Sequence, residues 1–373
     1  MNGQFPFVPG PPDWQFDWDA INDAFPWVRL LSGCAQEPEY HGEGDVWIHT
    51  RLVCKELVAS SGFRSRTTEE RSNLFAAALL HDVAKPVCTR EEGGRLTSRG
   101  HSRVGAVQAR AILWRLGLPI VAREQIIGLV RHHQRPFYLI ESTTAQRQAI
   151  EASQTARSDL LAVLAEADAR GRLSAGKQRL LENTALFIEF CRELGCLVES
   201  YEFPSDHARF TYFRAAGRDP TYLAYDDTGC EVVLMSGLPG AGKNRWITRH
   251  LPDWSIVSLD AIRDELGIKP TDPQAAVVHR AREMARSFLR SDRPFVWNAT
   301  SLSRSIRDEC IALFASYRAR VRIVYVECPE EQLLRQNRER ARPVPETVIE
   351  RLLARWEVPD LTEAHRVDWI VGD

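Results

Sequence analysis

The sequence predicts a multidomain chain in which an all-α domain is followed by an α/β domain built on a parallel sheet covered by helices. Three observations predict it. Between residues 46 and 199, apolar residues recur at three- and four-residue spacing and no convincing strand appears. From residue 231 onward, short β-rich runs alternate with helical stretches, the grammar of a parallel sheet with helices on both faces. The second pattern opens on an apolar run that ends in a glycine-rich turn and a lysine, Gly237 to Lys243.

Taken in order, residues 5–27 are rich in Pro, Phe and Trp and predict an irregular arm packed on the first domain. The helical stretches that follow fall at 52–58, 74–83, 104–116, 126–130, 160–169 and 180–194. Residues 201–228 contain aromatics, Gly217, Pro220 and the pair Asp226-Asp227 but little periodicity, and predict a partly packed connecting segment. Strands are expected at 232–236, 255–258, 294–298 and 321–327, with a further candidate at 367–371. The expected organisation is therefore 1–200, a connection over 201–228, and 229–373.

At 373 residues there is room for about two domains, each with its own core. A net charge of −2 gives no global pull toward nucleic acid, so any polyanion site must be a local basic patch. Eight scattered cysteines without a C-x-x-C pair, and no signal-like N-terminus, predict reduced thiols and a cytoplasmic protein. No apolar run approaches the length of a membrane span, and no membrane partner is expected.

Strand, G-x-x-x-x-G-K and helix together build a cradle of backbone N–H groups for polyphosphate. The cradle spans Gly237, Leu238, Pro239, Gly240, Ala241, Gly242 and Lys243, and Lys243 reaches the outer phosphates of ATP or another NTP. The next position usually holds Ser or Thr, whose hydroxyl ligates magnesium, but here it is Asn244. An amide oxygen can bind a hard cation directly or through water. Asp260 ends the second strand, where doubly wound sheets place ligand-binding groups, and is a candidate base for an attacking hydroxyl. It is equally a candidate N-cap for the helix that follows. Arg263, one helical turn on, is placed to clamp a substrate phosphate. Arg335, Arg338, Arg340 and Arg342 cluster before Pro343, as in a closing lid; Arg338 or Arg342 is the expected phosphate contact. The turn 298–300 faces the same site.

In the first domain His49, His81-Asp82, His101, His132-His133 and Asp168 are the candidate metal ligands. His81 and Asp82 end an apolar helix, where two polar side chains are unwelcome unless paired or metal-bound. Lys85 follows His81 by four residues and Arg172 follows Asp168 by four, which sets a cation beside each carboxylate, as a phosphate site requires.

The order His49, His81-Asp82, Asp168 resembles the H…HD…D signature of the HD phosphohydrolase superfamily. The resemblance implies an all-α fold in which these four residues hold one divalent transition metal (Mn, Ni, Co, Fe or Zn), with residues 81–86 in the central helix. It implies that His101 and His133, the second of the adjacent pair, bridge to a second metal, and that Lys85 and Arg172 bind the substrate phosphate. The second half, with GLPGAGKN, SLDAIR, WNAT and the arginine lid, resembles the polynucleotide kinase family. That resemblance implies Asp260 as general base on a 5′-OH, Arg263 on the 3′ phosphate of the terminal nucleotide, and magnesium with the NTP.

The two halves together, with residues 41–50 (HGEGDVWIHT), are similar to the bacterial HD–polynucleotide kinase enzymes of nucleic-acid end healing. The expectation is hydrolysis of a 2′,3′-cyclic phosphate, 2′-phosphate or 3′-phosphate in the first domain and 5′-OH phosphorylation in the second. The partners would be RNA or DNA ends and a separate ligase. Two alternatives stand beside it: an HD nucleotidase fused to a small-molecule kinase, and an HD phosphohydrolase regulated by a nucleotide-sensing P-loop domain.

Overall fold

The computed structural model describes residues 3–340 and 342–372. The chain divides into two compact units, Met1–Glu202 and Phe203–Asp373.

The first unit is helical: α1 (Trp18–Ala24), α2 (Val46–Ala59), α3 (Ser61–Arg64), α4 (Thr68–Leu80), α5 (Lys85–Cys88), α6 (His101–Arg115), α7 (Ile120–His132), α8 (Arg135–Tyr138), α9 (Ala145–Ser153), α10 (Ser158–Gly171) and α11 (Lys177–Glu193). A two-stranded antiparallel hairpin, β1 (Arg90–Glu92) and β2 (Arg95–Thr97), interrupts them. The sequence did not show it, because three-residue strands of mostly charged, exposed residues carry no buried face to read. Helix α2 starts on Asp45, which caps Ile48, and α4 on a Thr67/Glu70 capping box. Helix α4 is buried along its second half, Leu74 to Leu80, so it forms the spine of the core. The N-terminal arm does pack on this core, with Phe5, Ile21, Phe25 and Val28 buried in it. It is more regular than expected: α1 and a 3-10 turn (Pro26–Leu30) lie within it.

In the second unit, α12 (Asp206–Arg214) precedes β3 (Glu231–Ser236), α13 (Lys243–His250), β4 (Ser255–Ser258), α14 (Leu259–Leu266), α15 (Ala275–Arg290), β5 (Phe295–Asn298), α16 (Arg304–Ser316), β6 (Arg320–Glu327), α17 (Glu330–Arg338), α18 (Glu346–Leu353) and β7 (Arg366–Val371). All pairings are parallel, in the order β4-β5-β3-β6-β7. Strands β4 and β5 lie on one side of β3 and β6 and β7 on the other, so the end of β3 is a topological switch point. The stretch read as a connection contains α12, and its Phe210 is buried with the sheet residues Val232 and Val321. Helix α12 escaped notice because nine residues with four aromatic or histidine side chains give little helical contrast. Among the described residues no helix is long and apolar enough to cross a membrane.

Candidate active sites

The first site gathers on helix ends. Helix α4 stops at Leu80, and His81 to Ala84 form a turn before α5. The single helix expected through residues 81–86 is therefore broken, and Lys85 opens a new one with Pro86 at its start. The break turns Asp82 inward. Its Oδ2 lies 3.1 Å from His81 Nε2 and 2.8 Å from Lys85 Nζ. Its Oδ1 lies 3.2 Å from His101 Nε2, at the start of α6, and 3.9 Å from His133 Nε2, after α7. On the other side, His49 of α2 places Nε2 3.2 Å from Asp168 Oδ1 of α10 and 3.8 Å from Asp82 Oδ2. All six expected ligands thus converge, and all are buried.

Three imidazoles are aimed by backbone carbonyls. Nδ1 of His81, His101 and His133 lies 2.8, 2.7 and 2.7 Å from the carbonyls of Ala78, Ser98 and Val130. A proton on each Nδ1 leaves Nε2 as the inward lone pair, the form a metal ligand needs. Of the adjacent histidines, His133 joins this cluster, 3.3 Å from His101, whereas His132 Nε2 lies 3.0 Å from Thr155 Oγ1.

Electrostatics set the charge state. Burial alone would raise the Asp82 carboxyl, but the neighbouring His81 ring and Lys85 ammonium hold it well below the usual range. Asp168 behaves alike: burial is outweighed by the Arg172 guanidinium and by His49. Burial, with His81 and His101 as neighbouring charges, lowers His133 to about 3. The set is anionic carboxylate facing imidazole nitrogen. His49 Nε2, His81 Nε2 and Asp82 Oδ1 are buried without a hydrogen-bond partner, a costly arrangement unless a cation fills it. Ligand atoms of His49, His81 and Asp82 lie within 4.8 Å of one another, as do those of Asp82, His101 and His133. Asp82 is common to both groups, so the residues fit a divalent-metal site centred on this carboxylate.

Lys85 and Arg172 flank the cluster. Arg172 donates from Nε and Nη2 to the two oxygens of Asp168, both at 2.9 Å, and lies over the Phe137 ring. Two of its donors thus serve the Asp168 carboxylate and are not free for a phosphate. Lys85 Nζ donates to Gln36 Oε1 at 2.6 Å and lies 3.5 Å from His41 Nε2. Gln36, His41 and Glu43 were not singled out from the sequence; residues 41–50 carried the only signal, as a resemblance.

The second site surrounds the end of β3. Gly237, Gly240 and Gly242 hold φ of +143°, +89° and +103°, and a Cβ on Gly237 would meet the Val326 carbonyl at 2.3 Å. Leu238 and Ala241 are buried, Pro239 is half-buried, and Lys243 begins α13. Lys243 Nζ donates to the carbonyls of Gly237 and Leu238, at 2.8 and 2.9 Å, folding back onto the cradle. Burial and the nearby charge of Arg340, against a weaker pull from Asp260, lower its pKa to about 8. Asn244 Oδ1 accepts from Asn298 Nδ2 at 2.9 Å, which joins the departure from the usual hydroxyl to the turn after β5.

Asp260 lies in the first turn of α14 with its side chain 78 % exposed, ion-paired to Arg263, whose Nε donates to Gln274 at 2.7 Å. The cap of this helix is Ser258, which accepts from Ala261 N, so capping does not explain Asp260. Arg338 ends α17 and is exposed, while Arg342 pairs with Asp264 of α14. Arg340 is the lid arginine whose charge acts on Lys243, and neither of the two preferred from sequence. Asn337, buried, spans the lid base by donating to Val344 O and accepting from Val344 N.

Residues 46–172 match the family model described as the HD domain, and residues 232–359 match a model described as an AAA domain. A Multifunctional CCA protein of Hahella chejuensis is 30 % identical over 161 residues, 42 % of this chain and 36 % of that protein. A CC-adding tRNA nucleotidyltransferase of Thermus thermophilus is 39 % identical over 100 residues, 26 % of this chain and 22 % of that one. The chain spans little more than a third of the first relative and less than a quarter of the second. A gluconokinase structure from Sinorhizobium meliloti aligns at 20 % identity and a TM-score of 0.29, over 39 % of this chain and 83 % of its own. The chain thus joins a helical unit that matches the HD domain to a parallel-sheet α/β unit that matches an AAA domain and carries the G-x-x-x-x-G-K turn.

Proposed function

We propose that the chain is a nucleic-acid end-healing enzyme with two separate sites. The observation that carries this reading is the occurrence, in one chain, of a buried His/Asp cluster with Lys85 2.8 Å from its shared carboxylate and of a P-loop with its lysine. Each is a phosphate-directed site, and their chemistries are complementary: one removes a terminal phosphate, the other adds one.

In the HD domain, His49, His81, Asp82, His101, His133 and Asp168 would hold two divalent transition metals, which would supply Lewis acidity and activate water. The chain's own residues do the rest. Lys85 offers an ammonium to a phosphoryl oxygen, Arg172 holds Asp168 in orientation, and the surrounding apolar helices keep the charges strong by excluding water. The substrate is a 2′,3′-cyclic phosphate, 2′-phosphate or 3′-phosphate end.

In the kinase domain, the 237–243 backbone binds the phosphates of ATP or another NTP with magnesium. Lys243 exchanges the Gly237 and Leu238 carbonyls for the outer phosphates. Asp260 accepts the proton of the attacking 5′-OH, Arg263 holds the neighbouring phosphate, and a lid arginine (Arg338 or Arg342, with Arg340 beside Lys243) neutralises the transferring group. The names of the curated relatives, one of them a tRNA nucleotidyltransferase, support an RNA end as the substrate; a separate ligase would join the products.

The test is an RNA oligonucleotide with a 5′-OH and a 2′,3′-cyclic phosphate, incubated with ATP, magnesium and manganese, both ends read by mass spectrometry. A 5′-phosphate and loss of the terminal phosphate are expected. An unchanged oligonucleotide alongside turnover of free nucleotides would replace this reading by a nucleotidase joined to a small-molecule kinase.

A further inference from the structure

The loop before α2 carries a second tier of polar groups that the ligand set does not use. Glu43 is almost fully buried by its side chain, and its Oε1 lies 2.8 Å from Nδ1 of His41 and 2.8 Å from Nδ1 of His49. The His41 contact is a hydrogen bond, whereas His49 Nδ1, as close to the same oxygen, makes no hydrogen bond. The other Glu43 oxygen accepts from Leu173 N at 2.8 Å, immediately after Arg172. The loop is pressed onto that segment: Gly42 N donates to Leu173 O at 3.1 Å, and a Cβ on Gly42 would meet the same oxygen at 2.7 Å. Only a glycine fits there.

A carboxylate oxygen only accepts, so His41 must carry its proton on Nδ1, and the same oxygen 2.8 Å from His49 Nδ1 favours that tautomer there as well. Each then presents a bare Nε2. That of His49 points at Asp168 and Asp82, where two anionic oxygens and a lone pair need a cation between them. That of His41 points at Lys85, which supplies the proton itself, 3.5 Å away. Lys85 is consequently held by three acceptors on three segments: Asp82, Gln36 and His41.

We propose that Glu43 is a positioning residue that fixes two histidines at once: His49 as a metal ligand through Nε2, and His41 as a clasp that aims Lys85 at the mouth of the metal centre. The inference rests on the metal-centre reading of the HD domain and adds to it the residues that orient its ligand and its lysine. Loss of the carboxylate frees the His49 ring to rotate or change tautomer. Outer-shell partners of this kind are worth roughly 10- to 100-fold in metal affinity.

The experiment is equilibrium dialysis of manganese(II), without nucleotide, against the full chain as wild type, Glu43→Ala and Glu43→Gln. Two-bond proton–nitrogen NMR on histidine-labelled, metal-free protein reports the tautomers. Expected are Nδ1–H signatures for His41 and His49 in the wild type, their loss in Glu43→Ala, and manganese affinity falling roughly 10- to 100-fold. Glu43→Gln, which keeps an acceptor oxygen, falls between the two, an ordering that a merely space-filling role does not produce. Glu43→Ala affinity within twofold of wild type, or wild-type rings protonated on Nε2, overturns the positioning role. No manganese binding by the wild type overturns the metal-centre reading and this inference with it, so the two failures are told apart. Should Glu43→Ala not fold, Glu43→Gln alone decides: manganese affinity and histidine tautomers indistinguishable from wild type overturn the proposal.

Discussion

Asn298 donates through Nδ2 to Asn244 Oδ1 at 2.9 Å, so the residue that follows the P-loop lysine is tied to the end of β5. The amide oxygen keeps one lone pair for a cation and lacks the compact hydroxyl that usually meets magnesium there. Replacing Asn244→Thr restores the hydroxyl and is expected to lower the magnesium concentration for half-maximal phosphotransfer by on the order of tenfold. A magnesium titration of 5′-phosphorylation measures it. An unaltered titration would mean that the amide held by Asn298 already serves as the ligand.

Lys243 gives the kinase site a pH dependence with a definite sign. Burial and Arg340 lower its pKa to about 8 from the usual lysine range. Below that value the ammonium is present and nucleotide affinity is flat. Above it the free protein must take up a proton to bind polyphosphate, so affinity falls by up to about tenfold per pH unit until the pKa of the complex is reached. Nucleotide binding followed by fluorescence between pH 6 and 10 checks this. Affinity constant to pH 10 would contradict the buried, depressed lysine.

The Arg172–Asp168 fork is buried on both sides. Removing one partner of such a pair strands the other charge, and Arg172→Ala is expected to destabilise the metal-free first unit by about 3–5 kcal/mol. Manganese should recover part of the loss, because a cation at the centre compensates Asp168. Arg172→Lys keeps the charge but not the two-pronged geometry and should lie between. Thermal unfolding with and without manganese reads all three; a loss under about 1 kcal/mol for Arg172→Ala would show that the fork holds little.

Much of this architecture was legible because its signals are periodic. The sheet strands are apolar runs bounded by turns, α10 keeps a three-and-four spacing, and α4 carries an unbroken apolar run from Leu74 to Leu80. The clustered histidines and aspartates were legible as residue types too, since His81 and Asp82 sit where an apolar helix should not carry them. The break after Leu80 was not, because His81, Asp82, Val83 and Ala84 are all compatible with a helix; Pro86 was its only mark. Glu43 was hidden for a different reason. Its partners lie at sequence distances of two, six and a hundred and thirty residues, and no local rule joins a loop glutamate to Leu173. In the lid, the motif pattern points to Arg338 or Arg342 without separating them, and the packing of α17 beside the P-loop sets Arg340 near Lys243.

The claim that two independent sites act on the two ends of one polynucleotide is tested most directly by separating them. The oligonucleotide with 5′-OH and 2′,3′-cyclic phosphate ends is given to the Lys243→Ala and Asp82→Ala proteins, both confirmed as folded. Lys243→Ala should leave the 5′ end unphosphorylated while the cyclic phosphate is still removed, and Asp82→Ala should do the reverse. If each substitution abolished both reactions in a folded protein, the two-site account would be wrong.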